Sequence, residues 1–157
     1  MRIMTDTNVI ISAILFPRSQ LTKVIQNVTE DHTLVLCSHI IEELQEIFKK
    51  KFRDKSHLLD TFLSKLSFEL VYTPADINSA DYPDIRDKGN LPILVSALLS
   101  DVDILITGDK DFFEVEIDKP RNYFAWRVFR KILIQSVFGA HGTSYNSEFP
   151  KSEIICK

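Results

Sequence analysis

Residues 1–15 read MRIMTDTNVIISAIL. Apart from Arg2, the first four are apolar; an aspartate then arrives at position 6, flanked by Thr5, Thr7 and Asn8, before apolar residues resume. Residues 103–113, DILITGDKDFF, repeat the pattern, with Asp109 and Asp111 following the run Ile104-Leu105-Ile106. Short continuous apolar runs are the mark of strands buried on both faces of a sheet. Two such runs that end in acid gather carboxylates at one sheet edge.

Working outward, Arg2–Thr5 reads as a first strand and Thr33–Cys37 (TLVLC) as a second. Between them Ser19–Glu30 reads as a helix, with Leu21, Val24, Ile25 and Val28 on one face. Ser38 has the chemistry of an N-cap for a helix over His39–Phe52, whose stripe is Ile40, Ile41, Leu44, Ile47 and Phe48. Ser56–Leu66 is a further helix and Phe68–Tyr72 a third strand. An acid-rich loop over 74–90 leads to an apolar helix, Leu91–Ser100, and Asp103–Ile106 is the fourth strand. Alternating strands and helices of this kind predict an α/β fold: a three-layer α/β/α sandwich around a mostly parallel sheet of four to five strands. Ligands in such sheets sit beyond the carboxyl ends of the strands, where Asp6 and Asp109 fall.

The chain of 157 residues is long enough for one domain with a substantial core, and a 45% hydrophobic, 26% charged composition is ordinary for a globular protein. Cys37 and Cys156 lack metal-ligand spacing, and the histidines (His32, His39, His57, His141) are scattered. With no secretory segment and no bilayer-length apolar run, the expected setting is the cytoplasm, without a membrane partner. Charge divides unevenly. Residues 120–157 hold six basic and two acidic side chains, whereas the first 119 hold 13 basic and 20 acidic, a net −7. A polyanion approaching that acidic body needs metal ions or a local basic strip.

Each acid has a plain structural role available. Asp6 can end a strand and accept bonds from the turn that follows, and Asp109 lies in a Thr-Gly-Asp turn that favours aspartate. Of Glu42, Glu43 and Glu46, the first and last fall opposite the stripe centred near Leu44, so Glu43 alone is placed to reach inward. Asn90 precedes Pro92 and suits a helix N-cap, while Asp87 and Lys88 fit ordinary loop charges. Lys49, Lys50, Lys51 and Arg53 make a basic strip at a helix C-terminus, either a solvated end or a track for an RNA backbone. Converging carboxylates repel unless cations neutralise them, and oxygen ligands suit Mg2+ or Mn2+. Such ions activate water for phosphodiester hydrolysis.

The ordered set Asp6-Thr7-Asn8, Glu43-Leu44, Arg86-Asp87 before Pro92-Ile93-Leu94, and Thr107-Gly108-Asp109-Lys110-Asp111-Phe112 resembles the PIN-domain family. More closely, it is similar to the toxin components of PIN-type toxin–antitoxin pairs, over residues 1–119. The resemblance implies a metal-dependent endoribonuclease holding Mg2+ or Mn2+ on Asp6, Glu43 and Asp109, with Asp111 joining them. It implies Thr5, Asn8, Asp87 and Thr107 as supporting residues, and as partners an RNA substrate, a cognate antitoxin and a second copy of the chain.

Two departures stand out. Where the family pattern has an Asp opening the buried helix, this chain has Asn90, which removes one negative charge from the site. After Pro120 the chain no longer resembles the family, and residues 120–157, with seven of the sixteen aromatics, form an atypical extension to a domain over 1–119. Two other readings follow: a PIN-fold module that keeps RNA or protein contacts but has weakened chemistry, and a phosphatase-like or receiver-like domain using Asp6 as phospho-acceptor. The latter wants a second Asp two residues on, where this chain has Asn8.

Overall fold

The computed structural model describes residues 1–117 and 120–124. Five parallel strands form one sheet: β1 (Arg2–Thr5), β2 (Thr33–Cys37), β3 (Glu69–Val71), β4 (Ile104–Thr107) and β5 (Arg121–Phe124). Their spatial order is β3-β2-β1-β4-β5. The chain steps outward from β1 to β3, then returns across β1 to place β4 and β5 on its other side. Crossovers in both directions put helices on both faces, giving the expected three-layer α/β/α sandwich. The order reverses between β1 and β4, so the ligand-binding crevice of this topology lies beyond their carboxyl ends.

The helices are α1 (Thr7–Leu15), α2 (Gln20–Asp31), α3 (Ser38–Lys51), α4 (Ser56–Lys65) and α5 (Leu91–Leu99). The sequence reading leaves α1 out. Its start is fixed by Asp6, whose side chain accepts from the Val9 amide at 2.7 Å, so the carboxylate that ends β1 also caps a helix. Ser19 caps α2 in the same way, accepting from Thr22 N–H at 3.3 Å. In α3 the predicted stripe is present, with Ile40, Leu44 and Phe48 fully buried at successive turns. Ser38, however, is the first residue of α3 rather than its cap. Its hydroxyl instead accepts from the Thr73 amide at 3.1 Å, tying the helix to the segment after β3.

Strands β1, β2 and β4 are buried as their apolar runs require: Met4, Val35, Leu36, Leu105 and Ile106 have no exposed surface. Register aligns Met4 with Val35 on one side and with Leu105 on the other, so Thr5 stands opposite Ile106 at the sheet edge. Asp6 extends this ladder by donating its N–H to the Ile106 carbonyl at 3.0 Å. No helix among the described residues is long and apolar enough to cross a membrane.

The expected domain boundary at residue 119 falls short of the sheet. Arg121–Phe124, assigned by sequence to the extension, is β5 and pairs along the whole of β4, from Ile104 opposite Arg121 to Thr107 opposite Phe124. Beyond Phe124 the extension lies outside the described residues. A chain ending at residue 119 loses this ladder and leaves β4 as the sheet edge. It should unfold at a clearly lower urea midpoint than the full chain; matching midpoints would show that β5 contributes nothing to the fold.

Candidate metal centre

Three loops deliver acids to the crevice. The first follows β1. Asp6 is 3% exposed, and three donors hold it: Val9 N–H on Oδ1 at 2.7 Å, then the Thr107 hydroxyl at 2.5 Å and Gly108 N–H at 3.0 Å, both on Oδ2. Burial pushes its carboxyl above the ordinary aspartate range. The bonds from Thr107, Val9 and Gly108 work against that rise, and the charge of Asp109 adds to it.

The second loop follows β4. The Thr107 hydroxyl that donates to Asp6 accepts from Asp109 N–H at 2.9 Å, so one side chain sets both acid-bearing loops. Asp109 in turn caps the 3₁₀ turn Lys110–Phe113, its Oδ1 accepting from the Asp111 amide at 2.9 Å. That turn buries Asp111 (4% exposed) beside Phe112, which has no exposed surface.

The third loop precedes α5. Asp87 is exposed and accepts from Gly89 N–H at 2.9 Å. Asn90 occupies the cap position of α5 but makes no capping bond. Its amide turns to the site and donates to Asp109 Oδ2 at 2.9 Å. The cap expected of Asn90 is thus replaced by a contact with a partner nineteen residues away.

Asp87, Asp109 and Asp111 each bring a carboxylate oxygen to a common point, all within 4.8 Å of one another. This is the tight group of potential metal ligands among the described residues. A set of hard anionic oxygens fits a divalent cation such as Mg2+ or Mn2+ and does not favour soft metals.

The structure therefore groups Asp109 and Asp111, both expected as ligands, with Asp87, expected only to support them. Asp6 and Glu43 do not join that cluster. Asp6 has its oxygens engaged by backbone and hydroxyl donors, as just described. Glu43, in the second turn of α3, is half-buried, and its Oε2 accepts from the hydroxyl of Thr7, the residue after Asp6. Glu43 thus reaches inward as its helical position predicts, to the flank of the Asp6 loop. Thr5 is fully buried with its hydroxyl unpaired among the described residues, and Asn8 is exposed.

Two participants carry no role in the sequence reading. Thr7 holds Glu43, and Arg86 forms an ion pair with Asp111. Asp111 is the main reason that the Arg86 guanidinium holds its proton more firmly than usual, with Glu114 and Asp109 adding to the effect. Thr7 had a local signal, a hydroxyl directly after the strand-ending acid. Arg86 stands in the family-like set, but nothing local points to its partner, which lies 25 residues away.

With this geometry in place, the relationships are plain. A family model described as the PIN domain matches residues 2–111, and the chain belongs to that family. Its fold is similar to that in a crystal structure of VapBC2 from Rickettsia felis bound to a DNA fragment from their promoter, at 20% identity and a TM-score of 0.61. That match covers 79% of this chain and 98% of the other. A DNA-bound VapBC structure from Salmonella typhimurium is similar at 17% identity and a TM-score of 0.59, covering 80% of this chain and 98% of that one. No curated protein matches the chain with significance.

The Asp6–Thr107 bond yields a test. A carboxyl with a raised folded pKa stabilises the native state fully below its unfolded value, and that contribution is lost as pH rises through the folded pKa. In Thr107→Val the lost donor raises the folded pKa further. Urea unfolding in EDTA should show the stability deficit of Thr107→Val growing as pH rises through the raised folded pKa of Asp6 in the parent chain, by about 1.5–3 kcal/mol in all. A deficit that is the same at every pH would contradict the assigned bond.

Proposed function

We propose that this PIN-domain protein is a metal-dependent endoribonuclease, the toxin of a toxin–antitoxin pair. The observation that carries the reading is the convergence of Asp87, Asp109 and Asp111 oxygens within 4.8 Å at the crevice of the parallel sheet. Asp109 is the central ligand, with Asp87 and Asp111 beside it. Asp6 and Glu43 stand behind them as the acids that fix the loop and extend the negative field. Mg2+ or Mn2+ bound there supplies the activation of water and the charge stabilisation that phosphodiester hydrolysis needs. The chain's own residues position that chemistry: Thr107 sets the separation of the β1 and β4 loops, Thr7 holds Glu43, and Asn90 orients Asp109.

The partners follow from the same reading. RNA is the substrate. The similar structures are of DNA-bound VapBC, which supports a cognate antitoxin as protein partner; a second copy of the chain is a further partner in this reading. The buried free thiol of Cys37 is compatible with a reducing cytoplasm as the place of action.

A second reading, a binding module with weakened chemistry, is favoured by one contact. The Asn90 amide satisfies Asp109 without a cation, where an aspartate at 90 would face Asp109 with a second charge. The two readings separate on Asn90→Asp. In EDTA the new carboxylate should lower stability by repulsion. With Mn2+ it should gain a larger upward shift in melting temperature than the parent chain, because tighter binding to the native state stabilises by mass action.

Cleavage of a generic single-stranded RNA should accelerate between tenfold and a thousandfold in Asn90→Asp, that is by up to about 4 kcal/mol of barrier. Asp109→Asn serves as the blank. Parent activity above that blank supports the ribonuclease reading. A parent chain and Asn90→Asp both no faster than Asp109→Asn would leave the binding-module reading in its place.

A further inference from the structure

Among the described residues, the loops that carry the acid cluster hold three cations: Arg86 and Lys88 before α5, and Lys110 after β4. Lys88 is paired with Asp84, itself 90% exposed, so that pair is a solvated one. Lys110 is exposed at the start of the 3₁₀ turn. Arg86 is built differently. Its side chain is 70% exposed, yet the carboxylate that holds it, Asp111, is only 5% exposed. A buried anchor fixes the position of the guanidinium while most of its donor fork stays in water. A planar fork of that kind matches two phosphate oxygens at once.

The basic strip singled out in the sequence sits elsewhere. Lys49, Lys50 and Lys51 are in the last turn of α3 and Arg53 follows it. The helix starts at the crevice end of β2 and runs away from it. At the α-helical rise, Lys50 lies about 10 Å further along the axis than Glu43. Lys50 is also paired with Glu46. Substrate charge at the reacting edge therefore has to be met by other residues, on a body that carries net −7 over its first 119 residues.

We propose that Arg86, anchored by Asp111, is the residue that grips an RNA phosphate next to the acidic centre. The inference rests on the ribonuclease reading and deepens it, giving Asp111 a second task as the positioning residue of Arg86. Binding energy then comes from a cation fixed within the same acid group that holds the metal. The ion pair also keeps the buried Asp111 charge compensated.

The test is RNA binding rather than turnover. Fluorescence anisotropy of a labelled single-stranded RNA is measured with Mn2+ over a range of NaCl, with RNA integrity checked on gels. Losing one phosphate contact on a single strand reduces the slope of log K against log salt by about 0.7. Arg86→Ala should show that reduction and bind about tenfold more weakly at low salt. Arg86→Lys should restore the slope but not the full affinity, since it keeps the charge and loses the fork. Lys23→Ala, an exposed position on α2, controls for net charge and should leave the slope unchanged. Mn2+ affinity of Arg86→Ala, read by calorimetry, should not fall below that of the parent, because Asp111 then has no competing cation.

An unchanged slope in Arg86→Ala overturns the inference and leaves the ribonuclease reading standing. So does an equal reduction in Lys23→Ala, or loss of Mn2+ binding in Arg86→Ala. A parent chain that binds no RNA overturns both.

Discussion

The site depends on one buried hydroxyl. Thr107 donates to the carboxylate that ends β1 and accepts from the amide of Asp109, the acid that follows β4. These are the two strands between which the sheet order reverses. Parallel strand pairing brings their carboxyl ends together, but pairing alone leaves the loops free to diverge. The Thr107 relay, together with Gly108 N–H on the same Asp6 oxygen, removes that freedom. An isolated buried carboxylate would be costly. Asp6 is tolerated because capping α1, bonding Thr107 and bonding Gly108 give its oxygens three donors.

Around that fixed point the remaining acids are balanced individually. Asp111 is compensated by Arg86, Glu43 by the Thr7 hydroxyl, and Asp109 by the Asn90 amide and the Asp111 backbone. Asp87 is left at the surface with one backbone donor. The resulting field is anionic but internally supported, which lets the carboxylates stand close without unfolding the loops. Asn90 has a defined part in this balance. It lowers the charge of the centre by one unit relative to an aspartate and replaces a repulsion with a hydrogen bond.

Much of this was legible in the residues. Strands β1 to β4 were visible as short apolar runs, and the buried face of α3 as a 3.6-residue stripe, because those periodicities are imposed by one buried face or two; β5, RNYF, is not such a run. Helix α1 was not, because Val9, Ile10, Ala13 and Ile14 are buried with Ile11 and Leu15 partly so, leaving little polar face to reveal a period. Ser38 and Asn90 both had the chemistry of caps, and both were drawn instead to partners far along the chain, Thr73 and Asp109. Local propensity cannot see such competition. The same limit explains why Asp109 and Asp111 cluster with Asp87 rather than with Asp6 and Glu43. Strand ends can be assigned from sequence, but which carboxylate oxygens meet depends on how three loops turn.

The central claim is that the Asp87–Asp109–Asp111 group is a divalent-cation site. Crystals grown with Mn2+ and measured near the manganese absorption edge test it most directly. The expected result is an anomalous peak coordinated by Asp109 together with Asp87 or Asp111, lost in Asp109→Asn. A map with no peak among these three carboxylates, at Mn2+ concentrations that saturate the thermal shift, would contradict the account.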